Sequence, residues 1–142
     1  MDKNIILNKI AYLKENLLKI EKRIEKYEKE SNFEEKETLE LAITKLIEEL
    51  VETAIKINNI LLEENNSYGG TYSSTFTKLG QFYSIDNNLL LKLAKTTSIR
   101  NKIAHEYEIE NKINLIEKYK NFIPLYEKYI QFILSIIKKS NN

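Results

Sequence analysis

The sequence predicts an all-α protein, an up-and-down bundle of four to five helices. Apolar residues recur at spacings of three and four along most of the chain. Three Gly and one Pro in 142 residues are too few for the many turns of a β sandwich or barrel. A composition of 42% hydrophobic and 30% charged residues supplies both a core and solvated helix faces, unlike a disordered chain. A single domain spanning 1–142 is expected, and a chain of this length buries about two-thirds of its unfolded surface without a covalent staple.

In the first segment Ile6, Ile10, Leu13, Leu17, Ile20, Ile24 and Tyr27 form one stripe. The spacing predicts a helix from about Asp2 to Glu30, about 40 Å long. Ser31-Asn32 breaks it, and Asn32-Phe33-Glu34-Glu35 reads as a capping box that opens a second helix. Leu39, Ile43, Leu46, Leu50, Ala54, Ile57 and Leu61 carry that helix to near Leu62. Glu63 to Tyr72, with Asn65-Asn66-Ser67 and Gly69-Gly70, reads as the main loop. A short third helix is expected from about Ser73 to Gln81. Asp86 is placed to cap a fourth, which begins near Asn87 and runs through Leu89, Leu93, Ile99 and Ile103 towards His105. Glu110-Asn111 marks a further break. The fifth pattern runs from Ile113 to Ile137, with a kink or split expected at Pro124, which lacks a backbone donor.

Composition also excludes several functions. With no cysteine there is no disulfide, iron–sulfur cluster or cysteine zinc site, and one His cannot build a His-based metal cluster, so neither metal nor cofactor is expected. A net charge of +1 gives no bulk attraction to a polyanion. No apolar run approaches the roughly 20 residues of a membrane span. Lys9, Lys14 and Glu15 interrupt the N-terminal segment too early for a secretory leader. A cytoplasmic location without membrane attachment is the expectation.

The chemistry concentrates in Ser98-Ile99-Arg100-Asn101-Lys102-Ile103-Ala104-His105-Glu106-Tyr107. On a helical wheel Leu89, Leu93, Thr96, Arg100, Ile103 and Tyr107 share one stripe, so a guanidinium sits in an apolar seam. Asn101 and His105 lie one turn apart on its flank. Lys92, Lys95 and Lys102 make this helix basic, with no acid between Asp86 and Glu106. Taken singly, each residue has a simpler role: Arg100 paired with Glu48 or Glu52, His105 packed with one hydrogen bond, Tyr107 in the core. Together they are an anion-binding Arg, a group titrating near neutral pH, and polar partners.

Arg100, four residues, His105, one residue, Tyr107 also matches the Arg-x4-His-x-Tyr signature of HEPN domains of the HepT type, and Asn101 after the Arg is typical of them. Thr71 to Gly80 resembles the segment before that family's fourth helix. Leu50 to Ile57 resembles its second, except that Lys56 stands where an acid is expected. The resemblance spans about Asn4 to Ile137.

It implies a dimeric, metal-independent ribonuclease: a toxin of a type VII-like toxin–antitoxin pair, with Arg100 and His105 catalytic and Asn101 supporting. The implied partners are RNA, a second copy of the chain, and a nucleotidyltransferase antitoxin that transfers AMP to Tyr107. A sister group with nearly the same motif implies the alternative, a non-catalytic substrate-binding subunit of a two-component nucleotidyltransferase. A purely structural bundle is the third reading. The residues suit the chemistry: attack of the 2′-OH on the adjacent phosphorus needs a base, an acid and positive charge on the phosphorane. One His per chain makes a two-His mechanism a two-chain site.

Overall fold

Asp2 opens the first helix, its Oδ1 accepting from the amides of Asn4 at 3.0 Å and Ile5 at 3.3 Å. The computed structural model describes residues 1–106 and 112–140, with side chains outside 99–114. Its elements are α1 (Lys3–Lys29), α2 (Phe33–Glu64), α3 (Tyr72–Thr77), a 3₁₀ turn (Lys78–Gln81), α4 (Asn87–Glu106) and α5 (Lys112–Lys139). No strand occurs among the described residues. The all-α bundle is thus observed, with α2 two residues longer than its stripe suggests and the third segment divided into an α and a 3₁₀ part. The break expected at Glu110-Asn111 lies outside the described residues.

Four contacts define how the long helices run. The Met1 ammonium meets Glu64 at 3.1 Å, so the start of α1 lies beside the end of α2 and the two are antiparallel. Lys120 contacts Glu28, which joins the start of α5 to the end of α1. Tyr119 pairs with Thr44 and Tyr129 with Asn58, so α5 runs parallel to α2. α3 and the 3₁₀ turn pack mainly on α4 and α2, and α4 packs on α5.

The α1 stripe from Ile6 to Tyr27 is buried, as are Ile43, Leu50, Ala54, Ile57 and Leu61 of α2. Each fully buried Ile or Leu contributes about 1.5–3 kcal/mol of transfer free energy.

Two local expectations need correction. Asn32 caps α2, its Oδ1 accepting from the Glu35 amide at 3.0 Å, but the Asn32 amide donates to Glu30 Oε1, not to Glu35. The reciprocal box is instead at Thr71 and Ser74, where each residue's amide donates to the other's hydroxyl. Pro124 lies inside α5 without splitting it. It removes the donor to the Lys120 carbonyl, and the buried Tyr119, Tyr126 and Tyr129 anchor the helix on both sides of it.

The loop before α3 depends on glycine. Gly70 has φ +79°, a left-handed conformation that disfavours other residues. A Cβ on Gly69 would meet Thr75 Cγ2 at 2.4 Å.

Candidate functional site

The candidate site is built on α4, and the first half of that helix sets its register. Asp86 Oδ1 accepts from the Asn88 amide at 2.9 Å, the cap expected from the sequence. Leu90, Leu93, Ala94, Thr96 and Thr97 are buried, while Leu91, outside this seam, is 53% exposed. The Thr96 hydroxyl donates to the Leu93 carbonyl at 2.6 Å and lies 2.8 Å from the Tyr126 hydroxyl of α5. That contact ties one turn of α4 to one turn of α5 in a buried setting.

Tyr126 belongs to a polar ladder inside the core. Tyr119, Phe122, Tyr126 and Tyr129 of α5 touch ring to ring in succession, with centroids about 6 Å apart. Their hydroxyls find separate partners. Tyr119 meets Thr44 at 3.2 Å, and Tyr129 donates to Asn58 Oδ1 at 2.6 Å. Asn58 Nδ2 in turn donates to Thr75 Oγ1 at 3.1 Å. Burial pushes the Tyr126 phenol well above its ordinary range, and the Thr96 hydrogen bond opposes that shift. Burial also raises Tyr129, reinforced by the charge Tyr126 would carry. Both remain neutral hydrogen-bonding groups at any physiological pH.

Arg100, Asn101 and His105 continue the same α4 backbone. Arg100 follows Thr96 by four residues, so the Thr96–Tyr126 contact fixes the register of the turn that carries it. Asn101 and His105 are one further turn apart from each other. The side chains of these three lie outside those described, and Tyr107 lies outside the described residues altogether. Among the described residues no group of acids and His could hold a metal ion. No helix among them is long and apolar enough to cross a membrane.

Beside the first half of α4, up to Thr96, lies an open groove of about 650 Å³ between α4 and α5. Lys92 and Lys95 line its α4 wall, and Lys118 and Lys128 its α5 wall, over a floor that includes Phe122 and Leu125. Sequence periodicity marks the α4 lysines but not the α5 pair, because which faces of two helices meet is not written in either helix alone.

The whole chain can now be compared with known proteins. The family model of the HepT-like ribonucleases matches residues 13–133. The structure is similar to a tri-AMPylated HEPN toxin of Shewanella oneidensis in complex with its MNT antitoxin: TM-score 0.77, 26% identity, 95% of this chain and 99% of that one. It is similar also to the mutant MntA–HpeT toxin–antitoxin structure, with TM-score 0.76, 25% identity, and 93% and 98% of the two chains covered. No curated protein matches significantly in sequence. A family model that spans most of the chain, on a bundle of this topology, establishes that the protein belongs to the HepT-like ribonuclease family of HEPN domains.

Proposed function

We propose that this protein is a metal-independent RNA endonuclease, the toxin of a toxin–antitoxin pair, silenced by AMP transfer to Tyr107. The observation that carries the reading is the Arg100-x4-His105-x-Tyr107 motif in a chain of the HepT-like family, with Arg100 and His105 on α4.

The chemistry follows from the residue types. A base removes the proton from a ribose 2′-OH, whose oxygen attacks the adjacent phosphorus. The bond to the 5′-oxygen breaks, and that oxygen takes a proton from an acid. The products are a 2′,3′-cyclic phosphate and a 5′-hydroxyl. His105 serves as base or acid, because imidazole is the side chain whose ordinary titration range lies near neutral pH. The Arg100 guanidinium offers forked donors to the phosphorane oxygens. Asn101, one turn from His105, supports the imidazole.

Two histidines require two chains, so the active form is a homodimer with two motifs facing one cleft. Leu91 at 53% and Tyr72 at 57% exposure leave apolar surface next to α4 for such a contact. One structural relative is described as a tri-AMPylated toxin held by an MNT antitoxin. By analogy, a nucleotidyltransferase partner modifies Tyr107 here. The AMP phosphate then occupies the Arg100 anion site, and the adenosine blocks the RNA path.

Growth on expression tests this against the alternative of a non-catalytic binding subunit. The free chain should arrest growth, and co-expression of the partner nucleotidyltransferase should relieve it. Unimpeded growth with the free, unmodified chain would favour the binding subunit.

A further inference from the structure

We propose that the α4–α5 groove is a single-stranded RNA track that binds the phosphodiester backbone beside the motif. This rests on the ribonuclease reading and assigns the substrate's path. Four lysines line the groove, two from each helix. The one acid there, Asp86, is engaged with the Asn88 amide at the start of α4. Lys120, just beyond the groove, is by contrast held by Glu28 and Glu117, whose hydrogen bonds raise its pKa. Among the described residues none of Lys92, Lys95, Lys118 and Lys128 forms an ion pair. In a protein of net charge +1, four lysines against one carboxylate around one groove are a local concentration of positive charge.

The shape suits a strand. At 1.5 Å per residue, Lys118 and Lys128 are about 15 Å apart along α5, so the positive walls are elongated. Along α4, Lys95 precedes Arg100 by about 7.5 Å and His105 by about 15 Å. A strand cut at the motif must extend away from it, and this groove is a basic exit on the same helix. A positively charged groove that tracks the backbone is one element by which proteins hold single strands without reading sequence. An acidic protein surface would need matching carboxylates at fixed positions, whereas a phosphodiester chain supplies charges at every step. RNA is therefore the occupant.

The test is binding of a short fluorescent 2′-O-methyl oligouridylate, which lacks the nucleophile and stays intact. The wild type is compared with Lys92→Gln/Lys95→Gln/Lys118→Gln/Lys128→Gln. A control, Lys14→Gln/Lys22→Gln/Lys26→Gln/Lys29→Gln, removes the same charge from the exposed face of α1. The groove variant should bind at least about tenfold more weakly, and its log–log salt slope should shrink by up to about 3. The α1 control should bind like the wild type, and both variants should keep their helical circular dichroism. Unchanged affinity and slope in the groove variant, or an equal loss in the control, would overturn the proposal. So would retained RNA binding with loss of the nucleotidyltransferase complex, which would give the groove to that partner. Cleavage of total RNA by the wild type reads the ribonuclease proposal separately. Cleavage with a dispensable groove sinks only the track; groove-dependent binding without cleavage sinks only the ribonuclease.

Discussion

The hydroxyls of Thr96 and Tyr126 lie 2.8 Å apart in the buried seam between α4 and α5, one helical turn before Arg100. The two are not equivalent partners. Thr96 also donates to the Leu93 carbonyl, while Tyr126, fully buried, depends on Thr96.

Tyr126→Phe should therefore cost about 1 kcal/mol, the net value of one hydrogen bond. Thr96→Val should cost more, about 1–3 kcal/mol, because it leaves a buried phenol without a partner. Urea unfolding followed by circular dichroism measures both. Equal costs would mean that the phenol finds another acceptor.

The raised phenol pKa values of Tyr126 and Tyr129 set a pH dependence. In the unfolded chain these phenols ionise near pH ~10, and in the fold they stay protonated well above it. The native state then holds more protons than the unfolded state at alkaline pH, so stability falls as pH rises. Their contribution should be complete at neutral pH and begin to disappear above about pH 10. Denaturant midpoints between neutral pH and about pH 11 check this, and Tyr126→Phe should reduce the alkaline loss.

His105→Ala and Arg100→Ala should each abolish cleavage while leaving the helical circular dichroism and the sedimentation of the proposed dimer intact. A stability loss of about 3–5 kcal/mol in Arg100→Ala would instead identify that residue as one half of a buried ion pair. A monomer that remains active would remove the two-His mechanism.

Much of this architecture is legible in the sequence because helical periodicity reports which face of each helix is buried. The stripes Ile6–Tyr27 and Ile43–Leu61 are the core of α1 and α2, and Asp86 is the α4 cap. What periodicity omits is pairing between helices. The stripe reads Tyr119 and Tyr126 as apolar knobs, but their hydroxyls pair with Thr44 and Thr96 across the bundle. Tyr129, Asn58 and Thr75 form a chain of bonds from three separate helices. Lys118 and Lys128 look like ordinary solvated positions until α5 is set against α4. The motif itself was legible at once, since its residues are close in sequence.

Tyr107→Phe should resist neutralisation by the nucleotidyltransferase partner while keeping at least part of its ribonuclease activity. Intact mass after co-expression is the measurement. AMP-sized increments should appear on the wild type and vanish in Tyr107→Phe. Increments that persist, or that map to Tyr72 or Tyr119, would show that another residue is modified. Tyr119 is the less accessible of these two, being fully buried.

The most direct measurement of the central claim is incubation of the unmodified protein with total RNA, with and without EDTA, beside His105→Ala. The wild type should cleave equally well in both conditions, its products should end in 2′,3′-cyclic phosphates, and the variant should be inactive. Loss of cleavage in EDTA with recovery on adding a divalent ion, or full activity in His105→Ala, would contradict the account.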